Sequence, residues 1–257
     1  FSGWDVFRSQ FPLQTLINPR LVNDEINSLI QIAQLSGKEY YPRWEVVNAY
    51  SGCMLGNPAI SVLADAYEKG IREYDVQKAV EYAANTQKQF GNGDLGYTPG
   101  SLSHTLEYAY TDWCLGQLMS SLGKKKEAAE YEKRAKAYRN VWCDSVQWFR
   151  ARVKGGGWLP WRGRTAQDQG TTESNPFQQG WFVPHDIDGM KALMGGQKKF
   201  DAELEEFFAN VPEDFLWNDY YNHPNEPNHH VPFLFNYSSC PWLTQKWTRK
   251  ICDKAYG

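Results

Sequence analysis

No apolar run in this 257-residue chain approaches the roughly 18 residues that a membrane span requires. The opening Phe1-Ser2-Gly3-Trp4-Asp5 has neither the basic region nor the apolar core of a signal peptide. A soluble chain without a membrane partner is therefore expected. Positive charge is also scarce: 27 Lys and Arg stand against 30 Asp and Glu, for a net charge of −3. Nucleic acid is excluded as a partner, because displacing its counterions takes clustered Lys and Arg. The five cysteines, at 53, 114, 143, 240 and 252, form no Cys-x-x-Cys pair of the zinc or redox kind, and their odd number leaves at least one thiol unpaired within the chain. Gly155-Gly156-Gly157 has no following Gly-Lys-Ser/Thr, Asp186-Ile187-Asp188-Gly189 lacks the later ligands of an EF-hand, and no Gly-x-Ser-x-Gly elbow occurs.

Aromatic side chains are abundant: 11 Trp, 15 Tyr and 13 Phe against 4 Met. Trp and Tyr join a broad apolar face to a polar edge, which suits stacking on a sugar ring, although for any single ring a place in the core is the commoner fate. Asn236-Tyr237-Ser238 fits the N-glycosylation triplet, which matters only in a secreted chain.

Helical periodicity dominates, and an all-α fold is predicted. Asn18-Pro19 opens a stripe of Val22, Ile26, Leu29, Ile30 and Ala33, and similar starts lie at Asn57-Pro58 and Asp75. Further helices are expected from Ser101 to Gly123, over Ala128 to Trp142, at about 199 to 209, and from Pro241. Val231 to Phe235 reads as a short strand. Two segments, Gly155 to Pro184 and Val211 to Ser239, are long, aromatic and rich in Gly, Pro, Asn and His, and such loops are usually functional. Helix pairs joined by alternating short and long connections suit a repeat stack or a closed α/α toroid, and no fixed-period repeat favours the stack.

Three clusters carry candidate chemistry. Within Gly170 to Asp186, Glu173 is flanked by hydroxyls, amides and rings, and a partly apolar pocket would raise its pKa and suit it to donate a proton. Asp186 and Asp188 are weaker choices, since either can cap the stripe that begins at Ile187. In Asn222 to His230, the amide and carboxylate oxygens of Asn225 and Glu226 sit between two prolines and suit a hard cation such as calcium. Adjacent His229 and His230 lack the i, i+4 spacing of a helical zinc site, and a polar turn with backbone-bonded histidines is the plain alternative. Trp4-Asp5-Val6-Phe7-Arg8, with Tyr41 to Glu45, interleaves charge and rings in a way that suits a sugar, although an Asp5 to Arg8 pair within one turn explains the first stretch equally well.

The order of these clusters resembles glycoside hydrolase family 92. The resemblance rests on Phe1-Ser2-x-Trp4-Asp5-x-x-Arg8, Gly56-Asn57, Ala64-Asp65-Ala66-Tyr67, Thr105-Leu106-Glu107-Tyr108-Ala109, Glu173-x-Asn175, Val183-Pro184-His185-Asp186 and Asn225-Glu226-Pro227-x-x-His230. It implies a secreted or extracytoplasmic exo-α-mannosidase on an (α/α)6 toroid, acting on α-linked mannose, α-1,2 above all, of N-glycan-type oligosaccharides. The mechanism implied is calcium-dependent and inverts configuration. Glu173 falls on the general acid, Asn225 and Glu226 in the calcium loop, and Asp5 and Arg8 in the sugar subsite. Gln178, His185, Asp186 and His230 fall on patterned positions near the substrate. Ser174 and Thr171 replace the family's usual Gly and Tyr beside the acid.

Residues 1–257 are expected to be an incomplete portion of the toroid, without the β-sandwich that precedes it in the family or the acidic segment carrying the base. An inverting reaction needs two carboxyl groups roughly 6.5–9.5 Å apart, so the base is expected outside these residues. The rival readings are a mannose- or glycan-binding protein on the same fold and a helical interaction scaffold, and a second copy of the chain is an admissible partner.

Overall fold

Asn18 and Asp75 show how this sequence starts its helices: each side-chain oxygen accepts the backbone N–H three residues on, from Leu21 and Lys78 respectively. The computed structural model describes residues 2–47 and 49–256, so Phe1 of the opening motif lies outside them, as does Gly257. Two compact units emerge, one of Phe1–Thr98 with Glu107–Ala137 and one of Pro99–Leu106 with Tyr138–Gly257.

The first unit contains α1 (Gly3–Val6), α2 (Gln10–Ile17), α3 (Pro19–Leu35), α4 (Pro58–Glu68), α5 (Val76–Phe90), most of α6 (Leu102–Ser121) and α7 (Lys125–Arg134), with a minimal hairpin of β1 (Glu45–Val46) and β2 (Ala49–Tyr50). Every member of the stripe Val22, Ile26, Leu29, Ile30 and Ala33 on α3 is buried. By contrast α4 is buried on nearly all sides, from Pro58 to Ala64 and at Ala66 and Tyr67, as befits a helix packed against α1, α2, α3 and α5. Asn57, expected to cap α4, instead donates its amide to Gln87 Oε1 at 2.8 Å.

In the second unit, β3 (Trp142–Cys143) pairs antiparallel with β4 (Trp148–Phe149), followed by α8 (Pro176–Gln179), α9 (Ile187–Met194), α10 (Gln197–Ala209) and α11 (Trp242–Ala255). The helix expected to run to Trp142 stops at Arg134, and a 3-10 turn over Ala135–Val141 delivers Trp142 to the strand pair. Val231–Tyr237 is a 3-10 helix and not a strand. Pro232 lacks a ladder donor, and burial of Val231, Leu234 and Phe235 with Phe233 exposed follows a helical spacing.

Most rings of this unit form core. Trp148, Phe149, Phe177, Trp181, Phe200, Phe207, Phe208, Phe215 and Tyr221 are all 1% exposed or less. They meet largely edge to face, as for Trp148 and Trp181 at 5.3 Å and Phe177 and Phe207 at 4.9 Å, with Tyr221 stacked on Phe208 at 4.8 Å. The aromatic wealth of the sequence is thus mainly packing. Among the described residues no helix is long and apolar enough to cross a membrane.

Candidate active site

Glu173 adopts φ +53°, the left-handed region that non-glycine residues rarely occupy, immediately before the buried Ser174 and Asn175. Its side chain is exposed at the edge of an open cavity of about 510 Å³ lined by Gln167, Trp217, Asn218, Asp219 and Asn222. The partly apolar pocket expected around it is therefore replaced here by an open, polar-rimmed one, because the left-handed turn presents the side chain outward from the buried backbone behind it.

That backbone is braced from two directions. Asn175 and Gln178 form a reciprocal capping box at α8: Asn175 Oδ1 accepts Gln178 N–H at 2.9 Å, and Gln178 Oε1 accepts Asn175 N–H at 3.1 Å. Their amide donors then reach a second segment, Asn175 Nδ2 to Asp219 O at 2.8 Å and Gln178 Nε2 to Asn218 O and Tyr220 O at 2.7 and 2.8 Å. Asn225, 52 residues further along the chain, donates its amide to Glu173 O at 2.8 Å. The structure thus joins Glu173 to the proline-bracketed loop, while Gln178, expected near the substrate, spends its amide on backbone.

The loop itself advances in turns of three residues, Asn225 N–H donating to Asn222 O and Asn228 N–H to Asn225 O. Asn222, Asn225 and Asn228 are 2%, 1% and 1% exposed, and the side-chain oxygen of each lacks a hydrogen-bond partner among the described residues. Buried amide oxygens without a donor are costly unless an ion or water meets them. The Asn225 oxygen, beside the half-buried Glu226, therefore fits a hard cation of the calcium type. Among the described residues no group of three or more His, Cys, Asp and Glu is placed to hold a metal, so an ion here would depend on the amide oxygens of this loop, which suit calcium better than zinc.

The histidines are occupied with the backbone and with phenols. His229 and His230 bond through Nε2 to His223 O and Trp181 O, each at 2.9 Å. His223 lies between the hydroxyls of Tyr221 and Tyr256 at 2.8 and 2.7 Å, and burial, assisted by the stacked His229 ring, pushes it down to about 4. Asp186 caps α9 by accepting Gly189 N–H at 3.0 Å and takes the Tyr138 hydroxyl at 2.5 Å. Burial, then this carboxylate, holds the Tyr138 phenol well above its ordinary range. Gly189 leaves room for this pair, because a Cβ there would stand 2.1 Å from Tyr138 Oη and 2.3 Å from Asp186 Oδ2 and would force them to shift. His185 meets the Tyr138 ring edge-on at 5.7 Å.

Asp5 and Arg8 belong to the first unit. Arg8 is 7% exposed in its side chain; Nε donates to Trp4 O at 2.9 Å and a terminal nitrogen to Glu107 Oε1 at 3.0 Å. Trp4 Nε1 donates to the same oxygen at 3.0 Å. Gly56, at φ +71°, lies against this carboxylate, and a Cβ there would come within 3.2 Å of Oε2. In the sequence Glu107 stands out only as part of a motif, yet it is the group on which Trp4, Arg8 and Gly56 converge. An acid set among the apolar and hydroxyl-bearing residues of α6, which carries Asp112 a little over one turn further on, is the available signal.

With this geometry in hand, comparison with known proteins identifies the class. A model of the glycosyl hydrolase family 92 catalytic domain matches residues 1–257, and the chain belongs to that family. A family 92 alpha-mannosidase of Bacteroides thetaiotaomicron superposes with a TM-score of 0.92 at 32% identity, over 98% of this chain and 35% of that one. A family 92 inverting mannosidase of the same bacterium gives 0.89 at 30% identity, over 99% of this chain and 39% of that one. An uncharacterized secreted glycosidase of Arthroderma benhamiae is 29% identical over 239 aligned residues, 74% of this chain and 30% of that protein. The chain thus spans little more than a third of the length of these relatives at most. The expected fold class, an all-α (α/α)6 toroid present in part, stands with these matches.

Proposed function

We propose that this chain serves an α-mannosidase that removes terminal α-linked mannose, chiefly α-1,2-linked, from N-glycan-type oligosaccharides, with inversion and with calcium. The observation that carries the reading is the tie between Glu173 and Asn225, which brings an exposed carboxyl at an open cavity together with a loop of buried, donor-less amide oxygens. Glu173 gives its proton to the departing glycosidic oxygen, and its braced backbone fixes the point at the cavity edge from which the side chain reaches. Asn225 and Glu226 would hold the calcium ion, whose chemistry is to bind vicinal sugar hydroxyls and favour a distorted ring. Arg8, fixed by Glu107, and Asp5 keep their place in the proposed sugar subsite of the first unit. The base that activates water is assigned to chain outside these residues, and likeness to a secreted glycosidase supports a place outside the cytoplasm.

The test is Glu173→Gln in the full-length enzyme. Turnover of α-linked mannobiose should fall by a factor of roughly 100 or more, the usual worth of a general acid. Near-normal turnover refutes the assignment of Glu173, and mannose binding without hydrolysis by the unsubstituted enzyme transfers the reading to a glycan-binding protein.

A further inference from the structure

Trp217 is 64% exposed, and Phe233, Tyr237, Trp242 and Tyr256 in the same unit are exposed to a similar degree, but of these rings it is the one that lines the cavity beside Glu173. It is nevertheless held on a stiff support. Phe215, two residues before it, is 1% exposed with φ +57°, its ring meeting Tyr221 and Trp247 edge-on. Asn218 closes the turn, its amide donating to Leu216 O and Tyr221 O at 2.7 and 2.8 Å and its oxygen accepting Tyr220 N–H at 2.7 Å. The carbonyls of Asn218, Asp219 and Tyr220 are the ones gripped by Asn175 and Gln178, the pair that also fixes the chain just after Glu173. One brace therefore sets the position of Trp217 and of the proposed acid alike, and both line the same cavity.

We infer that Trp217 is the platform on which the departing sugar stacks, an inference that rests on the mannosidase reading. An exposed indole adds little to folding, whereas a fixed apolar face beside an acid offers a sugar ring a stacking surface at small entropic cost. The acid must reach the oxygen that joins the terminal mannose to the rest of the substrate. In an exo-acting enzyme the terminal sugar is the enclosed one and the remainder leads towards solvent, so a solvent-open ring faces the remainder. Asp219, exposed on the same cavity with its backbone clamped, supplies a hydroxyl acceptor beside the ring.

The experiment compares two substrates on the full-length enzyme: α-linked mannobiose, which leaves as a sugar, and α-mannosyl fluoride, which does not. Trp217→Ala should lower kcat/KM on mannobiose about tenfold, chiefly through KM. It should leave mannosyl fluoride within about twofold, and Trp217→Phe should recover most of the loss. Equal losses on both substrates would show that the ring serves the terminal mannose or the fold, and no loss on either would show that it serves neither; both outcomes overturn the inference. If the unsubstituted enzyme cleaves neither substrate, the mannosidase reading falls and takes the platform with it, a failure separable from the others because it needs no variant.

Discussion

Asn175→Ala removes the side chain that ties the Glu173 segment to the Trp217 turn, and its cost can be worked from two contacts. The side chain is fully buried; its oxygen caps α8 and its amide satisfies Asp219 O. Losing the cap costs about 1 kcal/mol. Leaving the Asp219 carbonyl without its donor costs about 1–3 kcal/mol. A total near 3 kcal/mol is expected, read as a shift of the denaturation midpoint at constant m-value. Asn175→Ser keeps a capping oxygen but has no amide to reach Asp219, so it should recover about 1 kcal/mol of that loss. Activity is then measured well below the unfolding transition, where Asn175→Ala should reduce kcat/KM because the backbone beside Glu173 and the turn bearing Trp217 relax together. A loss under about 1 kcal/mol with unchanged kinetics would refute the brace. Equal damage from Ser and Ala would show that the cap contributes nothing beyond the tie to Asp219, and a Ser variant as stable as the unsubstituted chain would show that the tie contributes nothing.

Two further outcomes follow from buried groups elsewhere. Asp112 is 0% exposed on α6, and although Arg134 Nε stands 3.1 Å away, neither carboxylate oxygen has an aligned hydrogen bond among the described residues. Burial pushes this acid up from 3.8 to about 7, against the pull of Arg134. The folded state then holds a proton that the unfolded chain gives up, so the contribution is fully present below pH 3.8 and is lost as pH rises to about 7. Stability relative to Asp112→Asn, which does not titrate, should fall over that window by on the order of 4 kcal/mol, measured by denaturant unfolding at successive pH values; a flat difference would reject it. Removal of calcium with a chelator should abolish mannoside hydrolysis and lower the melting temperature, with both restored by added calcium. Insensitivity in both measurements would withdraw the ion from the Asn225 loop.

Much of the fold was legible in local patterns. The caps at Asn18, Asp75 and Asp186 and the stripe on α3 lie where the sequence puts them, because a side-chain oxygen before a helix and a 3.6-residue apolar period act over one or two turns. The misreadings came where partners lie far along the chain. Trp142 left its helical pattern for a strand partner at Phe149, and Val231–Tyr237 coiled into a 3-10 turn with no neighbouring strand to pair it.

The same division holds for the candidate site. Residue chemistry alone singled out Glu173 and the oxygen-rich loop of Asn225 and Glu226, since a proton donor and a hard-cation loop need those atom types. It could not show that Gln178, Asp186, His229 and His230 would give their polar atoms to backbone, to a helix start or to a phenol, or that Arg8 would be held by an acid 99 residues away. Those choices belong to tertiary structure, because a hydrogen bond is decided by which groups come within about 3 Å when the core closes. Sequence determined the helical class and the kinds of atoms available; folding decided which of them were consumed as braces and which, like Glu173 and Trp217, were left facing the cavity.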